Sequence, residues 1–289
     1  MPRIAYVNGR YLPFRRAAVH IEDRGYQFAD GVYEVVAVAG GRLMDEALHL
    51  ARLARSLAEL RIPAPMAEPG LRHVLREVVR RNRVRDGLVY LQVTRGSAPR
   101  EHAFPRPTRP ALVVSARNGE GPPPALREAG CAVVTMPDIR WRRCDIKTTA
   151  LVANVLAKQG AREAGAYEAL LVDGDGAVTE GSSTNAWIVT AEGTLVTRPA
   201  DHAVLDGVTR RAVLALARAE GLAVEERPFS VAEARNAAEA FLTSTTSFVL
   251  PVVAIDGAPV GKGSPGPVTR RLMARYRAHV ADRAAGEAL

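Results

Sequence analysis

The chain has 289 residues, 39 of them basic and 31 acidic, for a formal net charge of +8. Its hydrophobic fraction of 47% and charged fraction of 24% exclude wholesale disorder. No run approaches the roughly 18 uninterrupted apolar residues of a membrane-spanning helix.

The positive charge is lopsided, because only Lys147, Lys158 and Lys262 are lysines and the remaining basic residues are arginines. Any mechanism that needs a nucleophilic amine therefore draws on three side chains and the N-terminus. The start, Met1-Pro2-Arg3-Ile4, shows no apolar leader-type stretch. Cys131 and Cys144 form neither a metal quartet nor a disulfide framework, and both are expected as reduced thiols in a cytoplasmic protein. Arginines alternate with acids, as in Arg76-Glu77 and Arg162-Glu163, and aromatics make up only 5%. With neither a basic tail nor a base-stacking platform, nucleic acid is not expected as a partner.

In chain order, strands are expected over Ile4–Val7 and Gly31–Val38. An amphipathic helix follows over Asp45–Leu60, with Leu50, Leu53, Leu57 and Leu60 at three- and four-residue intervals. A second helix covers Gly70–Arg85, and strands Leu88–Thr94 and Ala111–Ala116 flank a polar, Pro-rich loop from Arg95 to Pro110. Gly119-Glu120-Gly121-Pro122-Pro123-Pro124 reads as a linker, dividing the chain into domains 1–118 and 126–289 joined by 119–125. Beyond it come strand Cys131–Met136, helix Thr149–Ala164, and strands Tyr167–Val172 and Asn185–Val189. Helix Val208–Glu220, strand Ala240–Ser244 and a terminal helix near Pro267–Arg283 complete the pattern. Strands and helices mix without strict alternation, which predicts two α/β (α+β) domains with mixed sheets.

Two literal motif matches fail on context. Gly261-Lys262-Gly263-Ser264-Pro265-Gly266 fits a dinucleotide fingerprint but follows a turn and leaves no room for a βαβ unit. Asp173-Gly174-Asp175-Gly176 starts like a calcium loop, yet position twelve is Thr184, so a hairpin turn is the better reading. No histidines fall at zinc-ligand spacing.

Of the lysines, Lys262 lies in a Gly/Pro loop and Lys158 on the polar side of a helix. Lys147 sits between an irregular segment and an expected helix N-terminus, among basic neighbours that favour a neutral, nucleophilic amine. Glu180 stands in the small polar run Val178–Asn185, between two expected strands. Leu205-Asp206-Gly207-Val208-Thr209-Arg210 enters a helix and Thr243-Ser244-Thr245-Thr246-Ser247 leaves a strand, both turns suited to a phosphate. Amine, carboxylate and phosphate nest together describe a site for pyridoxal phosphate.

Four segments carry a resemblance to a known family: Ile21–Val35, Asp145-Ile146-Lys147, Thr179-Glu180-Gly181-Ser182-Ser183 and Gly207-Val208-Thr209-Arg210. Together they resemble the fold-type IV pyridoxal-phosphate enzymes, from about Ile4 to Tyr276. The resemblance implies a two-domain fold with the cofactor at the domain interface. It implies that Lys147 forms the Schiff base and carries the substrate Cα proton, and that Glu180 pairs with the pyridine nitrogen. It further implies phosphate contacts from Arg52, Val208, Thr209, Ser244 and Thr245, with Leu205 packed on the ring face. Phe248 stands where many relatives carry Glu.

The run Gln92-Val93-Thr94-Arg95-Gly96-Ser97-Ala98-Pro99-Arg100-Glu101-His102 resembles the D-amino-acid aminotransferase subgroup, and Trp141 agrees with it. Arg100, His102 and Tyr33 are thereby expected to trap the substrate α-carboxylate, through a loop that reaches across a homodimer. A planar guanidinium fork suits a carboxylate. The implied activity is ping-pong transamination between D-amino acids such as D-alanine and 2-oxo acids such as 2-oxoglutarate. L-branched-chain transamination and pyruvate elimination by an aminodeoxychorismate lyase are the alternatives.

Overall fold

The computed structural model describes residues 3–119 and 121–285. Met1, Pro2, Glu120 of the expected linker, and residues 286–289 at the end of the expected second domain lie outside them. The chain forms two compact units. Among the described residues, the first comprises 3–119, 146–150 and 280–285, and the second 121–145 and 151–279.

The first unit is built from β1 (Ile4–Val7), β2 (Arg10–Pro13), α1 (Arg24–Phe28), β3 (Gly31–Ala39) and β4 (Arg42–Leu43). Helices α2 (Glu46–Glu59) and α3 (Glu68–Asn82) and strands β5 (Gly87–Thr94) and β6 (Ala111–Asn118) complete it. Asn8 and Gly9 both take positive φ, 45° and 92°, and close the β1–β2 hairpin in the twist its strands require. The sheet runs β2-β1-β6-β5-β3-β4, every pair antiparallel. Leu50, Leu53 and Leu57 of α2 and Leu71, Val74 and Val78 of α3 share one core with Val89, Leu91 and Val93 of β5. Along β5, residues from 87 to 93 alternate between buried and half-buried, so Tyr90 and Gln92 point away from that core.

The second unit begins with α4 (Pro124–Ala129), whose first two residues fall in what reads as linker, and continues with β7 (Cys131–Pro137), α5 (Val152–Glu163) and β8 (Glu168–Val172). Then come β9 (Val178–Gly181), β10 (Asn185–Val189), β11 (Leu195–Thr197), α6 (Val208–Ala219), β12 (Val224–Glu226) and α7 (Val231–Asn236). Strands β13 (Glu239–Ser244), β14 (Phe248–Ile255) and β15 (Ala258–Pro259) precede α8 (Pro267–Ala285), which belongs to this unit as far as His279. The sheet order is β12-β11-β10-β13-β14-β7-β8-β9, with β15 beside β14. Parallel pairs β11·β12, β14·β7 and β7·β8 make it mixed, as the uneven alternation of elements predicts.

Two expectations around the site need correction. The helix expected from Thr149 starts at Val152, because Thr148 and Thr149 are engaged elsewhere. Their hydroxyls donate to the Gly31 and Ala29 carbonyls, 3.0 Å each, and the Thr149 N–H donates to Gly31 O at 3.0 Å. The polar run around Glu180 is not a loop between strands. Residues Val178–Gly181 are themselves strand β9, antiparallel to β8 and buried throughout.

Candidate active site

Lys147 belongs to the first unit. Its neighbour Thr148 bridges to Val32 of β3, and the Tyr33 N–H donates to the Lys147 carbonyl at 3.0 Å. Lys147 thus sits beside a strand, and the helix that follows begins only at Val152. Lys147 Nζ lies 3.3 Å from the Tyr33 hydroxyl and 4.4 Å from the centre of that ring. Tyr33 stacks on Tyr90 at 5.7 Å, and the Tyr90 hydroxyl donates to Gln92 Oε1 at 2.6 Å. Burial, reinforced by Tyr33, pushes the Tyr90 phenol up to about 12, so it stays a neutral donor. Of the other lysines, Lys262 is exposed and Lys158 lies 3.4 Å from Glu168.

Arg52 is committed to an ion pair that the sequence did not announce. Its Nε and Nη2 donate to Glu34 at 2.7 and 2.8 Å, and His49 Nδ1 lies 2.7 Å from the same carboxylate. Glu34 is wholly buried. Burial raises its carboxyl, but the Arg52 charge and hydrogen bonds outweigh that and hold it down to about 2.

Arg100 and His102 come together on the loop between β5 and β6. The Arg100 guanidinium lies 5.0 Å from the Phe28 ring centre, and the His102 ring 5.4 Å from it. Both side chains are exposed. Tyr33, expected to meet that loop across a homodimer, lies at Lys147 within its own subunit.

In the second unit Glu180 lies on β9 and is buried. Its Oε2 accepts from Asn185 Nδ2 at 3.1 Å and from the Leu205 N–H at 3.2 Å, while Arg140 Nη1 donates to Oε1. Asp138 in turn holds Arg140 through Nε and Nη2, at 2.9 and 2.7 Å. Burial disfavours the Arg140 charge, but the Asp138 hydrogen bonds and the Glu180 charge prevail and keep it firmly protonated. Leu205 acts here through its backbone, its carbonyl accepting from Asn185 Nδ2 at 2.9 Å.

Gly207 caps α6 without a side chain, leaving the first-turn amides of Val208 and Thr209 without a side-chain cap. A Cβ at Gly207 would fall 2.1 Å from Asn185 Oδ1, so any larger residue there displaces the Asn185 amide. At the β13–β14 turn the Ser244 hydroxyl lies 2.7 Å from Ser247 Oγ and 3.1 Å from Thr246 Oγ1, with Thr245 half-buried between. Phe248 opens β14 at φ 58° and packs on Tyr276 at 5.2 Å. Within the second unit, uncapped amides and clustered hydroxyls are the donor set of a phosphate site, and these together with the buried Glu180 carboxylate are groups that pyridoxal phosphate calls for, as is the Lys147 amine of the first unit.

An amine-based group-transfer enzyme is the class these features define. The family model for amino-transferase class IV matches residues 31–255, and the chain belongs to that family. It is an aminotransferase. It is 43% identical over 265 residues to a D-alanine aminotransferase of Bacillus licheniformis, covering 92% of this chain and 93% of that protein. A D-alanine aminotransferase of Staphylococcus haemolyticus is 38% identical, with 96% and 98% covered. Among solved structures, a branched-chain amino acid aminotransferase from T.th., crystallised with pyridoxamine 5'-phosphate, superposes with a TM-score of 0.89. It is 28% identical, with 98% of this chain and 95% of that one covered.

The residues that sequence reading left without a role are Arg24, Asp30, Glu34, Arg140 and Asn185. Four of them lie inside or beside the family-like segments, but nothing in spacing or composition distinguishes a buried clamp from a surface charge.

Proposed function

We propose that this chain transfers amino groups from D-amino acids, D-alanine among them, to 2-oxo acids such as 2-oxoglutarate in a ping-pong sequence. The Arg100-Glu101-His102 loop carries the reading, since it sets two donors for a carboxylate side by side on Phe28. Relatives 38–43% identical and named D-alanine aminotransferases support it.

Pyridoxal 5'-phosphate is the cofactor, and when bound its protonated ring supplies the electron sink that stabilises negative charge at the substrate Cα. Lys147 is the amine proposed to bond the cofactor at rest and, once freed by substrate, to take the Cα proton. The Tyr33 hydroxyl, 3.3 Å away, orients that amine. Glu180 is proposed to keep the ring nitrogen protonated, its own charge held in place by Arg140, Asn185 and Leu205. Val208, Thr209, Ser244 and Thr245 are proposed to hold the phosphate, with Arg52 lending charge from its pair with Glu34. Arg100 and His102 bind the substrate α-carboxylate, which fixes the face of Cα turned to Lys147.

We also infer a homodimer in which each loop serves the partner subunit's site. Val152, Val155 and Leu156 support it, an apolar stripe on α5 that is 74%, 62% and 58% exposed. Both cysteines are free, which fits a reducing, cytoplasmic setting. The likeness to a branched-chain aminotransferase favours a second reading, L-branched-chain transamination, at lower identity. Arg100→Ala separates the two. The proposal expects KM for D-alanine to rise about tenfold or more, and an unchanged KM removes the loop from the site.

A further inference from the structure

We propose that Arg24, clamped by Asp30, is the positioning residue that presents Arg100 and His102 to the substrate carboxylate. The inference deepens the function proposed above and rests on it.

Residues 98–110 belong to no helix or strand, so the backbone there needs other partners to hold one shape. Arg24 supplies them. It is the first residue of α1 and is only 4% exposed. Its guanidinium donates to three successive carbonyls of the loop: Nη1 to Glu101 O and to Ala103 O at 3.3 Å, and Nη2 to His102 O at 3.2 Å. The tripeptide it grips includes His102 and directly follows Arg100. The remaining donor, Nε, goes to Asp30 Oδ2 at 2.8 Å.

Asp30 fastens this grip to the body of the unit. It also accepts from Arg95 Nε at 2.7 Å and Nη2 at 2.9 Å. Arg95, almost fully buried, donates onward to the Leu60 and Arg61 carbonyls at 2.8 and 3.0 Å, beyond the last turn of α2. Helix α1 is itself docked, since Asp23 accepts from the Gly25 N–H at 2.8 Å and from Thr94 Oγ1 at 2.9 Å. A Cβ on Gly25 would lie 2.2 Å from Thr94 Cγ2, which explains glycine there. Phe28, one turn along α1 from Arg24, is the ring that Arg100 and His102 share. One short helix therefore holds the loop by its backbone at one end and by its two functional side chains at the other. Burying a guanidinium is expensive unless its donors are satisfied, and here they are satisfied by the loop and the clamp.

The test uses the holoenzyme with D-alanine, in the variants Arg24→Gln, Arg24→Lys and Asp30→Asn. A lysine keeps the charge but cannot reach three carbonyls and Asp30 together. Arg24→Gln is expected to raise KM for D-alanine about tenfold, with a smaller effect on kcat and on the cofactor's visible absorbance. Arg24→Lys should recover only part of the loss, and Asp30→Asn should follow Arg24→Gln in direction. Trypsin supplies a readout independent of turnover, because Arg100–Glu101 is a cleavable bond within the gripped segment. Cleavage there should be about tenfold faster in Arg24→Gln than in the parent protein while the thermal midpoint shows the variant folded. Native KM in folded Arg24→Gln, or a raised KM with loop cleavage unchanged, would overturn the inference. An Arg100→Ala enzyme with native KM would instead remove the carboxylate-binding role on which it rests, so the two failures are distinguishable.

Discussion

Lys147 Nζ and the Tyr33 hydroxyl are 3.3 Å apart, and the two residues are also joined through the backbone by the Tyr33 N–H on the Lys147 carbonyl at 3.0 Å. The amine is thus fixed to strand β3 twice, by main chain and by side chain. A base that must face one side of a tetrahedral carbon needs that restriction.

Tyr33→Phe removes the hydroxyl and leaves the backbone bond. We expect kcat to fall on the order of 10²-fold with the cofactor retained, as loss of an orienting proton partner implies. Steady-state kinetics alongside the absorbance spectrum check this, and an unchanged kcat would mean that the hydroxyl is idle.

Glu180→Gln should keep the cofactor bound yet lower kcat by about 10²-fold, since an amide cannot hold a ring nitrogen protonated. Arg140→Gln should weaken the same function indirectly, by freeing Glu180 from its buried clamp. Comparable kcat in Glu180→Gln and the parent would show that the ring nitrogen is not its partner.

Gly207→Ala brings a methyl to 2.1 Å from Asn185 Oδ1, which displaces the amide that joins Leu205 to Glu180 beside the α6 amides. Weaker cofactor binding is expected, about tenfold in Kd from apoenzyme titration with pyridoxal phosphate. Native affinity would show that the turn is not part of the phosphate site.

Acid stability should depend on Glu34. Its folded carboxyl is held down to about 2, below the ordinary value of 4.5, so the unfolded chain binds the extra proton. The stability this contributes is fully present above about pH 4.5 and is lost as pH falls toward 2. Glu34→Gln removes the buried negative charge that faces Arg52, so stability should drop at neutral pH, by up to about 3–5 kcal/mol. Its decline between pH 4.5 and 2 should also be shallower, and denaturant titrations across that range check both.

The scarcity of lysine led directly to Lys147, and the helices α2, α3 and α6 were legible because their apolar residues recur at three and four. Strands β3, β5 and β10 were legible as β-branched runs. What stayed hidden is of another kind. Short strands such as β2, β11 and β12 carry too few residues for any period to show. Thr148 and Thr149 favour a helix start by type, yet their hydroxyls satisfy Gly31 and Ala29 and keep Lys147 beside β3. Arg24, Arg95 and Arg140 are buried cations among dozens of arginines, and only tertiary contacts with Asp30 and Asp138 separate them from surface charge. The turns proposed for the phosphate were readable as hydroxyl-rich loops, whereas Asn185, which ties Glu180 to Leu205, had no local signature.

The most direct test mixes the cofactor-loaded enzyme with D-alanine or with L-alanine, without a 2-oxo acid, and follows the visible absorbance of the cofactor. D-alanine should bleach it within a single half-reaction, and 2-oxoglutarate should restore it. L-alanine should leave it largely unchanged. Bleaching by L-alanine or L-leucine with no response to D-alanine would contradict D-specific transamination at this site.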